Sequence, residues 1–119
     1  MKSLKDKTKA SRRPRNRTGP ARIAEMIEEA TVDAHDEAEQ ATGWFTMFEN
    51  YLELPFGTEV LGVRVSVVAV ALREGNQIVA VCRRGKAKLP VGIVDLPLPS
   101  PGPEGAEWIE AYRRWLGAR

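Results

Sequence analysis

Ten carboxylates stand between residues 23 and 63 with no Lys or Arg among them: Glu25, Glu28, Glu29, Asp33, Asp36, Glu37, Glu39, Glu49, Glu53 and Glu59. At helical spacing Glu29, Asp33, Asp36, Glu37 and Gln40 fall on one side of a helix, opposite a stripe of Ala30, Ala34, Ala38 and Ala41. Like charges at i, i+4 destabilise an isolated helix by about 0.2–0.5 kcal/mol per pair, and no basic residue in the span relieves them. A hard cation would. Calcium takes about six to eight oxygen ligands at about 2.3–2.6 Å, so clustered carboxylates with carbonyls near the Thr42-Gly43 bend suit it. Magnesium, which demands stricter octahedral geometry, is the weaker competitor. The site is not an EF-hand: counted from Asp33, the glycine position holds Ala38 and the closing glutamate position holds Trp44. The competing reading is a merely solvated face, which is what most charge runs are.

Other chemistries lack their residues. The one histidine, His35, and the one cysteine, Cys82, lie on different predicted elements, which argues against a Cys-His dyad, a serine triad and a structural zinc knot. No phosphate-loop or dinucleotide fingerprint is present, so no enzyme is expected. Residues 1–22 carry nine Lys or Arg against Asp6, leaving the remainder of the chain with a net charge of −6. Basic residues 2–22 read either as an arm for nucleic acid or another anionic partner, or as a solubilising tail. A second basic cluster, Arg83, Arg84, Lys86 and Lys88, either faces the acidic helix or blunts a sheet edge.

The elements that must position these groups form one α+β domain over residues 21–119, preceded by a disordered basic arm over residues 1–20. The first helix is expected to start near Pro20, with Thr18 as its cap, and to stop at Gly43. A short helix over residues 44–53 follows. From Thr58 the period becomes two, with Leu61, Val63, Val65, Val67, Ala69 and Ala71 alternating along one strand. Strands over residues 77–83 and 88–96 complete a meander of three strands or more, a curled sheet or partly open barrel, with Pro90 marking an edge. Residues 96–103 are a proline-rich strap. A C-terminal helix over residues 104–116 then turns Trp108, Ile109, Tyr112, Trp115 and Leu116 inward and Arg113 and Arg114 outward. With no apolar run of membrane-spanning length, no secretory leader and a single thiol, the expected setting is the cytoplasm, without a membrane partner.

The stretch from Glu29 to Gln40, followed by Gly43-Trp44 and Leu54-Pro55-Phe56, resembles the signature of a family of small bacterial calcium-binding proteins. That family has an acidic core of the form Asp-Ala-x-x-Glu-x-Glu-Gln, then a Gly-aromatic pair and a Pro-Phe before the sheet. The resemblance covers residues 23–96 and continues into the C-terminal helix. It implies calcium binding without an EF-hand, by the acids matching Asp33, Asp36 and Glu37, with Glu29 or Glu39 completing the shell, in a calcium buffer or sensor. His35 stands where the family pattern has an aromatic such as tyrosine; its imidazole would also admit a transition metal.

Overall fold

The computed structural model describes residues 19–118, so the basic arm lies outside the described residues apart from its last two positions, and Thr18 lies outside them too. The chain runs α1 (Pro20–Thr31), α2 (Glu37–Tyr51), β1 (Phe56–Val60), β2 (Val63–Arg73), β3 (Gln77–Arg84), β4 (Ala87–Gly92) and α3 (Ala106–Ala118). The four strands are all antiparallel and form an open meander in the order β1-β2-β3-β4. This is the expected α+β arrangement, with the meander forming an open sheet, the first of the two expected forms, rather than a partly open barrel. No described helix is long and apolar enough to cross a membrane.

The first helix starts at Pro20 as expected but ends sooner. Val32 leaves helical angles (φ −59°, ψ 131°) and Asp33 takes φ +58°. The Ala34 N–H donates to the Thr31 carbonyl at 3.0 Å. Those angles fit a type II turn, whose third residue needs positive φ, a conformation Asp and Asn tolerate better than other side chains. Asp36 then caps a fresh helix.

Gly43, expected to terminate a helix, lies inside α2. Its role is contact: a Cβ there would sit within the van der Waals envelope of the Ala30 carbonyl on α1. The next residue, Trp44, is fully buried, as is Phe48. Their rings meet α3, with Trp44 centred 5.3 Å from Tyr112 and 5.6 Å from Trp115, and Phe48 edge-on to Tyr112 at 5.6 Å. Trp44 and Phe48 thus serve the core together with Tyr112 and Trp115 of α3.

Two backbone irregularities revise the long strand expected from Thr58. Leu61 and Gly62 take φ +53° and +81° and reverse the chain between β1 and β2. The β2–β3 register then slips between Val67 and Ala69. Val67 and Val70 therefore share a face with Cys82 and Ala80, while Ala69 and Ala71 turn to the opposite face with Val81 and Val79. The anticipated stripe is broken by this bulge. The third expected strand stops at Gly92, and β4 is an edge strand, as Pro90 requires.

The strap is pinned rather than loose, for the buried Thr58 hydroxyl donates to the Pro97 carbonyl at 2.6 Å. Arg113 departs from the outward direction expected of it. Its Nη2 donates to the carbonyls of Ile93 (3.1 Å) and Leu96 (2.5 Å), tying α3 to the start of the strap. Burial lowers its pKa, an effect the nearby Asp95 carboxylate opposes.

Gly43→Ala should destabilise the protein by about 1–3 kcal/mol, the usual range for forcing an extra carbon into a close-packed contact. Gly117→Ala is the control, since nothing lies within 4 Å of a Cβ there. Urea unfolding should show a loss for the first and none for the second.

Candidate metal centre

The break between α1 and α2 builds the site. Asp36 closes the connecting loop as the N-cap of α2, its Oδ1 accepting the Glu39 N–H at 2.8 Å. Glu39 reaches back, its Oε1 accepting the His35 N–H at 2.6 Å. This reciprocal pair is a capping box shifted by one residue, because the glutamate meets the amide before the cap rather than the cap's own. The Asp36-x-x-Glu39 spacing signals it in the sequence, but a helix read straight through Asp33 and Asp36 conceals the signal. Acids in a first helical turn are also favoured by the helix dipole, by about 0.3–1 kcal/mol each.

The five acids expected to act together are therefore distributed over three elements. Glu29 is exposed on α1, Asp33 and Asp36 lie in the connecting loop, and Glu37 and Glu39 are in the first turn of α2. They do not form one helical face. Asp33 and Glu39 line a shallow depression of about 320 Å³, together with Ala30, Val32, Ala38 and Thr42. Asp36 adjoins it through its bond to Glu39. Glu37 instead lines a separate groove of about 910 Å³, with Arg73, Glu74, Asn76 and Asp95 on its walls. Glu29 lines neither. Nothing in the sequence links Glu74, Asn76 or Asp95 to Glu37.

Among the described residues, no three Asp, Glu, His or Cys side chains already converge as a metal cage. The donor chemistry nonetheless suits calcium. Asp33, Asp36 and Glu39 are exposed hard-oxygen donors. Each capping carboxylate uses one oxygen in the bonds above and has a second. A large ion that accepts irregular coordination can gather such oxygens by side-chain rotation, whereas magnesium holds to a near-octahedral shell.

Cys82 is 2% exposed on β3, with burial pushing its thiol pKa up, while His35 is exposed on the α1–α2 loop. The hairpin residues Arg83, Arg84, Lys86 and Lys88 are all exposed at the β3–β4 turn. On α1, Arg22 forms an ion pair with Glu25 at 3.4 Å.

The fold has counterparts among known proteins. Residues 22–116 match the CcbP family, described as calcium binding. Among solved structures, Anabaena CcbP superposes with a TM-score of 0.66 at 20% identity, covering 84% of this chain and 92% of that one. A calcium-binding protein in its calcium-binding form also superposes at a TM-score of 0.66 and 20% identity, covering 82% and 90%. No curated protein sequence matches the chain.

Asp36→Ala should cost about 0.5–2 kcal/mol in calcium-free buffer through loss of the cap, whereas Asp36→Asn, which keeps a capping oxygen, should cost far less. Urea unfolding of both variants in the presence of a chelator checks this.

Proposed function

The chain belongs to the CcbP family of calcium-binding proteins, and on that premise we propose that calcium is held at the loop joining α1 to α2. Asp33, Asp36 and Glu39 are its central carboxylates, and Glu29 and Glu37 flank them. The observation that carries this reading is the depression lined by Asp33 and Glu39, with Asp36 hydrogen-bonded to Glu39 at its edge.

A helix N-terminus repels a cation with the equivalent of about half a positive charge. Asp36, Glu37 and Glu39 bring three full negative charges to that same end, so the local field favours the ion. The carboxylates are exposed and not preassembled, and ligand charge and site rigidity set calcium affinity. Binding therefore belongs in the micromolar to submillimolar range, which suits a buffer or sensor. The same arrangement favours calcium over magnesium and supplies no catalytic group. The buried free thiol of Cys82 suits a reducing compartment such as the cytoplasm.

A second reading, contact with nucleic acid or an acidic partner through the β3–β4 hairpin, is supported by the four exposed basic residues there. Replacing Arg83 and Arg84 by Gln should then lower duplex DNA affinity at low salt and flatten its salt dependence. Unchanged binding would dismiss the hairpin.

Calorimetric titration of calcium into metal-free protein should give saturable binding that survives excess magnesium. Asp33→Asn, which tolerates the same positive φ but loses the charge, should weaken it about tenfold, or about 1.4 kcal/mol. An unchanged titration would remove Asp33 from the site.

A further inference from the structure

The meander brings two turns to one end of the sheet. In the antiparallel order β1-β2-β3-β4, Leu61-Gly62 and Gly85-Lys86 lie at that end, and the β2–β3 turn at Glu74-Gly75-Asn76 lies at the other. Leu61 is the residue there that the fold does not account for. Its two-residue turn takes φ +53° at Leu61 and +81° at Gly62, and Asn-Gly or Asp-Gly is the pair that supplies positive φ at both positions with least strain. A bulky aliphatic side chain is disfavoured in that conformation. This one is also 96% exposed, so no packing within the described chain offsets the strain. Single exposed apolar residues are ordinary, but one held in a disfavoured backbone conformation at the apex of a turn points to a use outside the fold.

The surroundings of Leu61 are apolar and basic. Val63, opposite Val60, and Leu89, opposite Cys82, lie on the face of the sheet that carries the core, yet they are 36% and 57% exposed, so the helices leave this end uncovered. Residues 59–66 and 82–89 hold five Lys or Arg and one acid, Glu59, which stands across from Arg64. By register Arg64, Arg83 and Lys88 share the outer face, Arg84 takes the opposite one, and Lys86 is in the turn itself. Positive charge therefore surrounds the apolar tip on both faces. The acidic start of α2 is at the far end: Glu37 shares a groove with the β2–β3 turn, roughly 30 Å away along β2 at the usual rise per residue.

We propose that this end of the sheet is a docking surface for an anionic lipid bilayer, with Leu61 entering the boundary between headgroups and acyl chains and the five basic residues set against the anionic headgroups. Such a bilayer complements both features at once, the apolar tip by burial and the Lys and Arg ring by its negative surface potential. A nucleic-acid backbone would satisfy the basic residues and leave Leu61 in water. Charge on both faces of the sheet and in the turn fits a plane met end-on, rather than a partner seated on one face. The contact is peripheral, since no described helix is long and apolar enough to span a bilayer. It is independent of the calcium site proposed above.

The test is co-sedimentation with vesicles of phosphatidylcholine, alone or mixed with an equal part of phosphatidylserine, in a chelator so that calcium does not bridge protein and lipid. The parent is the full-length chain with the eight Lys and Arg of residues 1–18 replaced by Gln, which removes their charge from the comparison. It should bind the mixed vesicles and not pure phosphatidylcholine, and about 1 M salt, where the screening length is about 3 Å, should release it. Leu61→Asn, which suits the same positive φ and leaves the charge unchanged, should weaken binding about three- to tenfold. Arg83→Gln, Arg84→Gln, Lys86→Gln and Lys88→Gln together should weaken it more than about tenfold. Val94→Asn, at an exposed apolar position beyond the far end of β4, is the control and should change binding less than about twofold. Equal binding to both kinds of vesicle, binding to neither, or undiminished binding by Leu61→Asn would overturn the proposal. Duplex DNA binding by the parent without vesicle binding would overturn it too, and would assign the basic residues to nucleic acid.

Discussion

The close approach of α1 to α2, backbone against backbone where Gly43 meets the Ala30 carbonyl, is the constraint on which the rest of the molecule depends. With no Cβ at that point the two helices come together at a distance no other residue permits. The chain must consequently reverse within residues 32–36. It does so by a tight turn with Asp33 in the left-handed region, followed by an immediate restart capped by Asp36. The same contact fixes how deeply Trp44 sits. That indole is fully enclosed, with the rings of Phe48, Trp108, Tyr112 and Trp115 around it. Ring pairs of this kind contribute about 0.5–1.5 kcal/mol beyond their burial. Loop, cap and aromatic core thus adjoin one contact that has no room for a methyl group.

The acidic residues show how one set of carboxylates can serve two demands. Five crowded negative charges on a continuous helix would repel one another with no cation nearby. Breaking the helix moves two of them into the loop and sets two in the first turn of α2, where unpaired amides and the helix dipole favour them. Asp36 and Glu39 each hold one backbone N–H and retain a second oxygen. The calcium-free protein is thus not required to hold a bare cage of carboxylates together. At the site proposed for calcium, the corresponding cost would be affinity, since an ion would first have to gather its ligands. This balance is consistent with the calcium-binding family to which residues 22–116 belong.

Beneath the helices, the sheet is a platform whose details follow from two interruptions of its alternation. The Leu61-Gly62 turn makes two strands of one apolar run, and the bulge at Val67/Ala69 exchanges which residues face the core beyond it. Thr58 and Arg113 hold the strap and the turn before it through backbone carbonyls. Segments without helix or strand partners are in this way supplied with hydrogen bonds by side chains.

Much was legible in the sequence because residue type and short-range spacing suffice for it. The α+β class, the start at Pro20, the edge position of Pro90, the inward face of Trp108, Ile109 and Tyr112, and the oxygen-donor character of the first half all follow from composition and periodicity. The acid-rich signature also carried the calcium-binding family. What failed was every inference in which a local signal had two meanings. A glycine near a helical pattern can stop a helix or admit a neighbour, and only the presence of Ala30 on another helix decides for Gly43. An acid at helical spacing can ride a face or cap an end, and only the turn at Asp33 decides for Asp36 and Glu39. Alternation continues until a bulge shifts it, and only pairing with β3 reveals the shift. By itself the sequence determined which groups are apolar and which carry oxygen donors, since those are properties of side chains. Tertiary structure alone decided which of those groups stand together, because close approach, register and capping are relations between segments that spacing along one chain does not contain.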